Sequence, residues 1–137
     1  MSADAPQLRG IHETVVYGPD LPVLADFYER VLGLRVASRM GELGVAFRLP
    51  EGGVLLAFDP VAASAAGRDV PAHGTRGEGH VAFMVAPGAL SAWRGWLAEQ
   101  GIEVESEIAW RRGGVSIYVR DPARNSVELV DGEIWPD

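Results

Sequence analysis

The sequence predicts an α+β fold: two tandem βαβββ modules that form a curved, open mixed β-sheet with the helices outside. Three observations predict it. Strand-type and helix-type periodicities occur twice in the same order. The two runs are separated by a stretch rich in Ala, Gly and Pro. Segments of the two runs match in pattern at an offset of roughly 67–72 residues, as an internal duplication would.

The first run opens with "GIHETVVYG" (10–18), rich in β-branched and aromatic residues and read as a strand. Asp20 can cap a helix whose first turn accepts Pro22. Leu21, Leu24, Phe27 and Val31 fall at helical spacing, and Gly33 stops the helix. "LRVASRM", "GVAFRLP" and "GVLLAFDP" read as three strands split by Gly-containing turns. Residues 60–77 are the expected linker or mobile loop. The second run opens with "GHVAFMVAP". Leu90, Trp93 and Leu97 mark an amphipathic helix that Gly101 ends, and "IEVESEI", "GVSIYVR" and "NSVELVD" supply three strands. Neither half buries a core well alone, so the two are expected to pack together. The expected organisation is a loose leader over 1–9, one domain over 10–131 (modules about 10–59 and 78–131) and a tail over 132–137.

The bulk numbers narrow the function. The 137 residues suit one domain. A net charge of −7 disfavours nucleic acid, whose phosphates need a basic surface, and is compatible with a cationic ligand or a metal. No apolar run reaches the roughly 20 residues of a membrane span, so no membrane partner is expected. The N-terminal "MSADAPQLRG" has neither the basic start nor the apolar stretch of a signal peptide. Cysteine is absent, which removes disulfides, thiolate ligands and Cys nucleophiles. A cytoplasmic location is the simple expectation.

Glu128 poses the chemical question. It sits among Val127, Leu129 and Val130 in an expected strand, where a carboxylate must face solvent, pair with a cation or bind a metal. Alternation puts Val127 and Leu129 on one face and Glu128 on the other. The same rule puts Val81, Phe83 and Val85 under the helix and turns His80, Ala82 and Met84 the other way.

"LADFYERVLGL" after a first strand, "GHVAFMV" opening the second half and "DPARNSVEL" closing it resemble the vicinal oxygen chelate superfamily. That group includes glyoxalase I, extradiol dioxygenases and bleomycin-resistance proteins. The resemblance covers about residues 9–131. It implies paired βαβββ modules, commonly a homodimer, and a metal on the concave sheet face. Fold alone does not name the reaction.

By that resemblance, ligands come from the first and last strand of each module. His80 and Glu128 match the second module's pair. In the first strand, counting from Asp20 and Leu21 favours Glu13, with Val15 and Tyr17 beside it, whereas counting from "FY" or "LGL" gives His12. The position matching Glu128 in the first module falls near Leu56, which cannot bind a metal and counts against a four-ligand glyoxalase I. What remains is Glu13 (or His12), His80 and Glu128 around one divalent ion of Fe, Mn, Ni or Zn, whose N and O donors do not choose among these metals. Such a site holds a small-molecule substrate through two oxygens. Glu128 and Tyr118 are the expected catalytic side chains, Tyr118 as a hydrogen-bond donor to a bound oxygen.

Other groups carry plainer expectations. Trp93 is expected in the core and Trp96 at an interface. Trp110 either overhangs the cavity mouth or covers the sheet edge. Arg111 and Arg112 read as solvated, with an anion clamp as the alternative, and His73 as solvated. Ser116 and Ser126 read as ordinary strand residues. "DPARN" (121–125) reads as a turn in which Asn125 tolerates a left-handed conformation. The resulting expectation is a metal-dependent enzyme, dioxygenase-like or a lyase or isomerase. A metal-free protein that sequesters a cationic or aromatic antibiotic is the main alternative, and an accessory module without chemistry the next.

Overall fold

Eight strands follow one another in the order that the periodicities predict, four in each half. The structure, a computed structural model, describes residues 5–137. Of the expected leader, residues 1–4 lie outside the described residues and 5–9 carry no regular structure. Strands β1 (Glu13–Tyr17), β2 (Arg35–Arg39), β3 (Gly44–Arg48) and β4 (Val54–Phe58) form one sheet in the order β1-β4-β3-β2. Strands β5 (His80–Met84), β6 (Ser106–Ala109), β7 (Val115–Arg120) and β8 (Ser126–Asp131) form the second, in the order β5-β8-β7-β6. In each sheet the first strand runs parallel to the last, and the remaining pairs are antiparallel.

The duplication extends to the register. Val15 lies opposite Leu56, and Leu56 opposite Ala46. Ala82 lies opposite Glu128, and Glu128 opposite Tyr118. The offset is 67 residues from Glu13 to His80 and 72 from Leu56 to Glu128. Leu56 is therefore the structural counterpart of Glu128, as the sequence pattern indicates.

Alternation along the strands separates two faces of each sheet. Val45, Phe47, Leu55 and Ala57 of the first sheet and Ile117, Val119, Val127 and Leu129 of the second turn into one shared cluster. The helices close it. In α1 (Leu21–Asp26), Asp20 accepts a hydrogen bond from the Val23 N–H at 3.4 Å, as the capping signal predicts. The helix then widens into a π-helical turn, Phe27–Val31, where the Leu32 N–H reaches the Phe27 carbonyl. Helical spacing alone predicts no such turn. It accompanies two adjacent aromatic side chains, Phe27 and Tyr28, that are both buried. Helix α3 (Leu90–Glu99) contributes Leu90 and Leu97, and Gly101 follows its end with φ +72°. The expected strand over 102–108 pairs only from Ser106, because Ile102 and Val104 turn into the core instead.

The expected linker is partly ordered. Asp59 caps a single turn, α2 (Pro60–Ala63), by accepting from the Val61 and Ala62 N–H groups. Farther along, the His73 N–H bonds to the Ala63 carbonyl, the Tyr17 hydroxyl meets His73 Nδ1, and the imidazole stacks on Phe58. His73 is exposed, yet held against the first sheet rather than simply solvated.

One buried polar cluster joins the halves. The Tyr28 hydroxyl donates to Asp121 Oδ2 at 2.7 Å, and Asn125 Nδ2 donates to the same oxygen. Asp121 Oδ1 accepts from the Ala123 and Asn125 N–H groups. Asn125 also accepts from the Gly79 N–H and donates to the Tyr17 carbonyl. The "DPARN" turn differs from expectation in one respect: the left-handed residue is Arg124 (φ +70°), not Asn125. The Asn125 side chain is instead engaged in this cluster.

Burial first, then the Asp121 charge and the hydrogen bond to it, push the Tyr28 phenol far above its ordinary range. Above pH about 10 the unfolded chain releases this proton while the native chain keeps it. Each further pH unit then lowers stability by about 1.4 kcal/mol from this group. Replacing Tyr28→Phe is expected to cost about 1.5–3 kcal/mol at neutral pH, the usual loss of a hydrogen bond to a charged acceptor. It should also make the alkaline decline shallower. Denaturant titrations of both proteins from pH 7 to 11 check both effects; equal slopes above pH 10 would refute the assignment.

Candidate functional site

The face of the second sheet opposite the core carries His80, Ala82, Met84, Ser116, Tyr118 and Glu128, where alternation predicts them. Met84 is 82% exposed, whereas Glu128 is only 5% exposed. A carboxylate so far from water needs partners, since an unpaired buried ion costs several kcal/mol.

Two are present. Glu128 Oε2 accepts from the Ser116 hydroxyl at 2.6 Å, and Ser116 Oγ in turn accepts from the Trp110 indole N–H at 2.9 Å. Glu128 Oε1 lies 3.3 Å from His80 Nε2. The other imidazole nitrogen, Nδ1, is 3.1 Å from the Ser126 carbonyl oxygen. A carbonyl only accepts, so Nδ1 carries a proton. In the neutral imidazole, Nε2 then presents its lone pair to a carboxylate oxygen. That arrangement holds with either a second proton on the ring or a cation shared by Nε2 and Oε1.

Tyr118 lies directly opposite Glu128 in register, and its ring stacks near the His80 ring, with centroids 6.4 Å apart. Partial burial, then the Glu128 charge, raise the phenol pKa, so it remains a donor. Trp110 resolves into a specific role: its indole N–H holds Ser116, which places the ring at the edge of this face. Ser116, an ordinary strand residue by sequence, joins the site through these bonds. The signal that could have found it is alternation, which puts Ser116 on the face shared by Tyr118.

The first sheet carries the other predicted donor. Glu13 begins β1, exposed, on the same face as Val15, Tyr17 and Leu56. His12 precedes the strand, and its carbonyl accepts from the Val54 N–H. The structure brings His80 and Glu128 together but does not bring Glu13 or His12 to them within one chain. Among the described residues, no three His, Asp or Glu side chains gather closely enough to hold one ion. The physical reason is that β1 and β5 lie in separate sheets. Arg111 and Arg112 are exposed on the turn after Trp110. Trp93 is half-buried against the core, while the Trp96 indole N–H donates to the Val31 carbonyl, joining α3 to the first helix.

Residues 10–129 match the sequence model of a family described as the Glyoxalase/Bleomycin resistance protein/Dioxygenase superfamily. Among solved structures, a lactoylglutathione lyase from Agrobacterium tumefaciens is similar at 34% identity and a TM-score of 0.88, covering 96% of this chain and 100% of that one. A glyoxalase/dioxygenase from Nostoc punctiforme is similar at 23% identity and a TM-score of 0.70, covering 96% and 98%. A glyoxalase/bleomycin resistance protein/dioxygenase from Nocardioides gives 23% identity and a TM-score of 0.73, covering 99% and 91%. The last two bear on the fold alone. No curated protein sequence matches the chain.

Replacing Ser116→Ala removes the donor to Glu128 Oε2 and the acceptor of the Trp110 indole together. The expected loss is about 1–3 kcal/mol, the cost of leaving buried polar groups unpaired. A change in Trp110 fluorescence should accompany it. Chemical denaturation and emission spectra check this; unchanged stability and emission would show that the chain of bonds is not maintained in solution.

Proposed function

The chain belongs to the Glyoxalase/Bleomycin resistance protein/Dioxygenase superfamily, and on that premise we propose that it is a small metal-dependent enzyme that binds its substrate through two adjacent oxygens. The observation that carries this reading is the pairing of His80 Nε2 with Glu128 Oε1, with Nδ1 tied to the Ser126 carbonyl. Metal-bound histidines commonly donate the other ring N–H to a carbonyl or carboxylate in this way. Bonds of about 2.0–2.2 Å to one ion, at tetrahedral to octahedral angles, separate two donors by roughly 3 Å. The 3.3 Å pair therefore fits two positions of a divalent site.

Two donors do not complete a site, and Glu13 supplies the third in this proposal, from a second copy of the chain. Each open sheet face supports such an assembly. Glu13 is exposed at the start of β1 next to the half-buried Val15, and Met84 is exposed at the far end of the strand that His80 begins, on the same face. In a two-fold dimer the same contact occurs twice, which gives two equivalent sites.

A divalent ion, when bound, supplies Lewis acidity toward the chelated oxygens of the substrate. The remaining roles fall to side chains of this chain. His80 and Glu128 would hold the ion. Ser116, itself held by Trp110, fixes the Glu128 carboxylate plane so that Oε1 faces His80. Tyr118 presents a neutral phenol O–H beside the pair and donates to a substrate oxygen. Glu128 accepts or returns a substrate proton. The reaction class is dioxygenase-like, or a lyase or isomerase. Leu56, apolar at the counterpart of Glu128, argues against a four-ligand site of the glyoxalase I type, although one similar solved structure is that of a lactoylglutathione lyase.

Elemental analysis of protein purified without chelator tests the proposal. Wild type is expected to carry about one ion per chain, and His80→Ala and Glu128→Ala to lose it. Glu13→Ala should lower affinity by at least about tenfold, the scale on which even outer-shell partners act. Light scattering should report a dimer. A protein that stays metal-free at millimolar Fe, Mn, Ni and Zn overturns the reading; tight binding of a basic glycopeptide by that metal-free protein would favour sequestration instead.

A further inference from the structure

The first sheet contains a concentration of positive charge in a chain whose net charge is −7. Arg35 on β2 and Arg48 on β3 are direct cross-strand partners, so both side chains leave the same face of the sheet. Their neighbours in the pairing, Val36 and Phe47, point into the core, so the two arginines stand on the open face. Like charges placed directly opposite one another destabilise a sheet. Among the described residues, neither guanidinium has a carboxylate within ion-pair distance.

The internal duplication shows that this is not simply how the fold handles the position. The counterpart of Arg48 at the 72-residue offset is Arg120. Arg120 is matched by two carboxylates, Glu105 at 2.7 Å and Glu78 at 3.6 Å. At the 68-residue offset that relates β2 to β6, Arg35 corresponds to Glu103, one of two carboxylates, with Glu105, that line the cleft beside Arg120. The balancing anion is present in one half and missing from the other.

The surroundings of the pair suit a ligand. Arg35 and Arg48 line a cavity of about 490 Å³ with Gly33, Pro50 and Gly52. Side chains added at Gly33 or Gly52 would meet nothing within 4 Å, so bare backbone borders open space there. A β-bulge between Val36 and Ser38 lies immediately beyond the arginine pair. Two planar guanidinium forks present donors that match the paired oxygens of a carboxylate or a phosphate.

We propose that Arg35 and Arg48 form a binding site for the carboxylate or phosphate group of a small molecule. The site lies on the same sheet face as Glu13, with β4 between that residue and Arg48. It requires neither His80 nor Glu128, so its outcome is separate from that of the metal site.

Calorimetric titration of the full chain with inorganic phosphate and with succinate, at low and constant ionic strength, tests it. At least one probe is expected to bind saturably, and the tighter of the two identifies the preferred group. Arg35→Gln and Arg48→Gln should each weaken binding about tenfold, equivalent to about 1.4 kcal/mol. Arg111→Gln, on an exposed turn elsewhere, and His80→Ala should leave it unchanged. Circular dichroism confirms that each variant folds, and all changes lie at exposed positions. Saturable binding that survives Arg35→Gln and Arg48→Gln overturns the proposal. So does an equal loss in Arg111→Gln, or the absence of saturable binding by both probes.

Discussion

The buried carboxylate of Asp121 is the constraint on which the rest of the molecule depends. It lies 3% exposed and collects four donors: two main-chain N–H groups, the Asn125 amide and the Tyr28 phenol. Those bonds satisfy an ion that would otherwise cost several kcal/mol to bury. They also fasten the entry to β8 onto a helix from the other half of the chain. The start of β8 sets which residues of that strand face the core. A slip of one residue would turn Val127 and Leu129 outward and Glu128 inward. The polar joint and the apolar core thus enforce the same register.

The open face of the second sheet follows similar logic. Its polar groups form a continuous series, from the Trp110 indole through Ser116 to Glu128, and from His80 to the Ser126 carbonyl. The series meets at the 3.3 Å gap between His80 Nε2 and Glu128 Oε1. The halves differ in how they use equivalent positions. Leu56 stands where Glu128 stands, and the strand edge that puts Arg35 opposite Arg48 in the first half supplies Glu105 to Arg120 in the second. The duplicated backbone has kept its geometry while its two open faces have acquired different chemistry.

Much of this was legible in the sequence, for identifiable reasons. Period-two alternation predicts that Val127 and Leu129 face inward while His80 and Glu128 share the other side; burial alternates along β5, whereas in β8 every residue from Val127 to Val130 is buried and the two faces are told apart by their partners. The capping role of Asp20 and the stop near Gly101 follow from local chemistry. The 67–72 offset follows from matching patterns. Features that depend on contacts across the sheet were not legible. The link from Trp110 to Ser116 arises from the turn between β6 and β7 and has no signature in spacing. The π-helical turn accompanies the burial of Phe27 and Tyr28 together, which helical spacing does not encode. The separation of Glu13 from His80 reflects the assignment of β1 and β5 to different sheets, which no single-strand pattern reveals.

The group that orients His80 is a main-chain oxygen, and this bears on how the protein can vary. Every residue has a carbonyl, so position 126 can drift among many amino acids without altering which ring nitrogen holds the hydrogen. Only a shift of the strand itself would disturb it. The imidazole is protected against ordinary genetic change at its neighbour, whereas the carboxylate opposite it relies on one particular hydroxyl and has no such insurance.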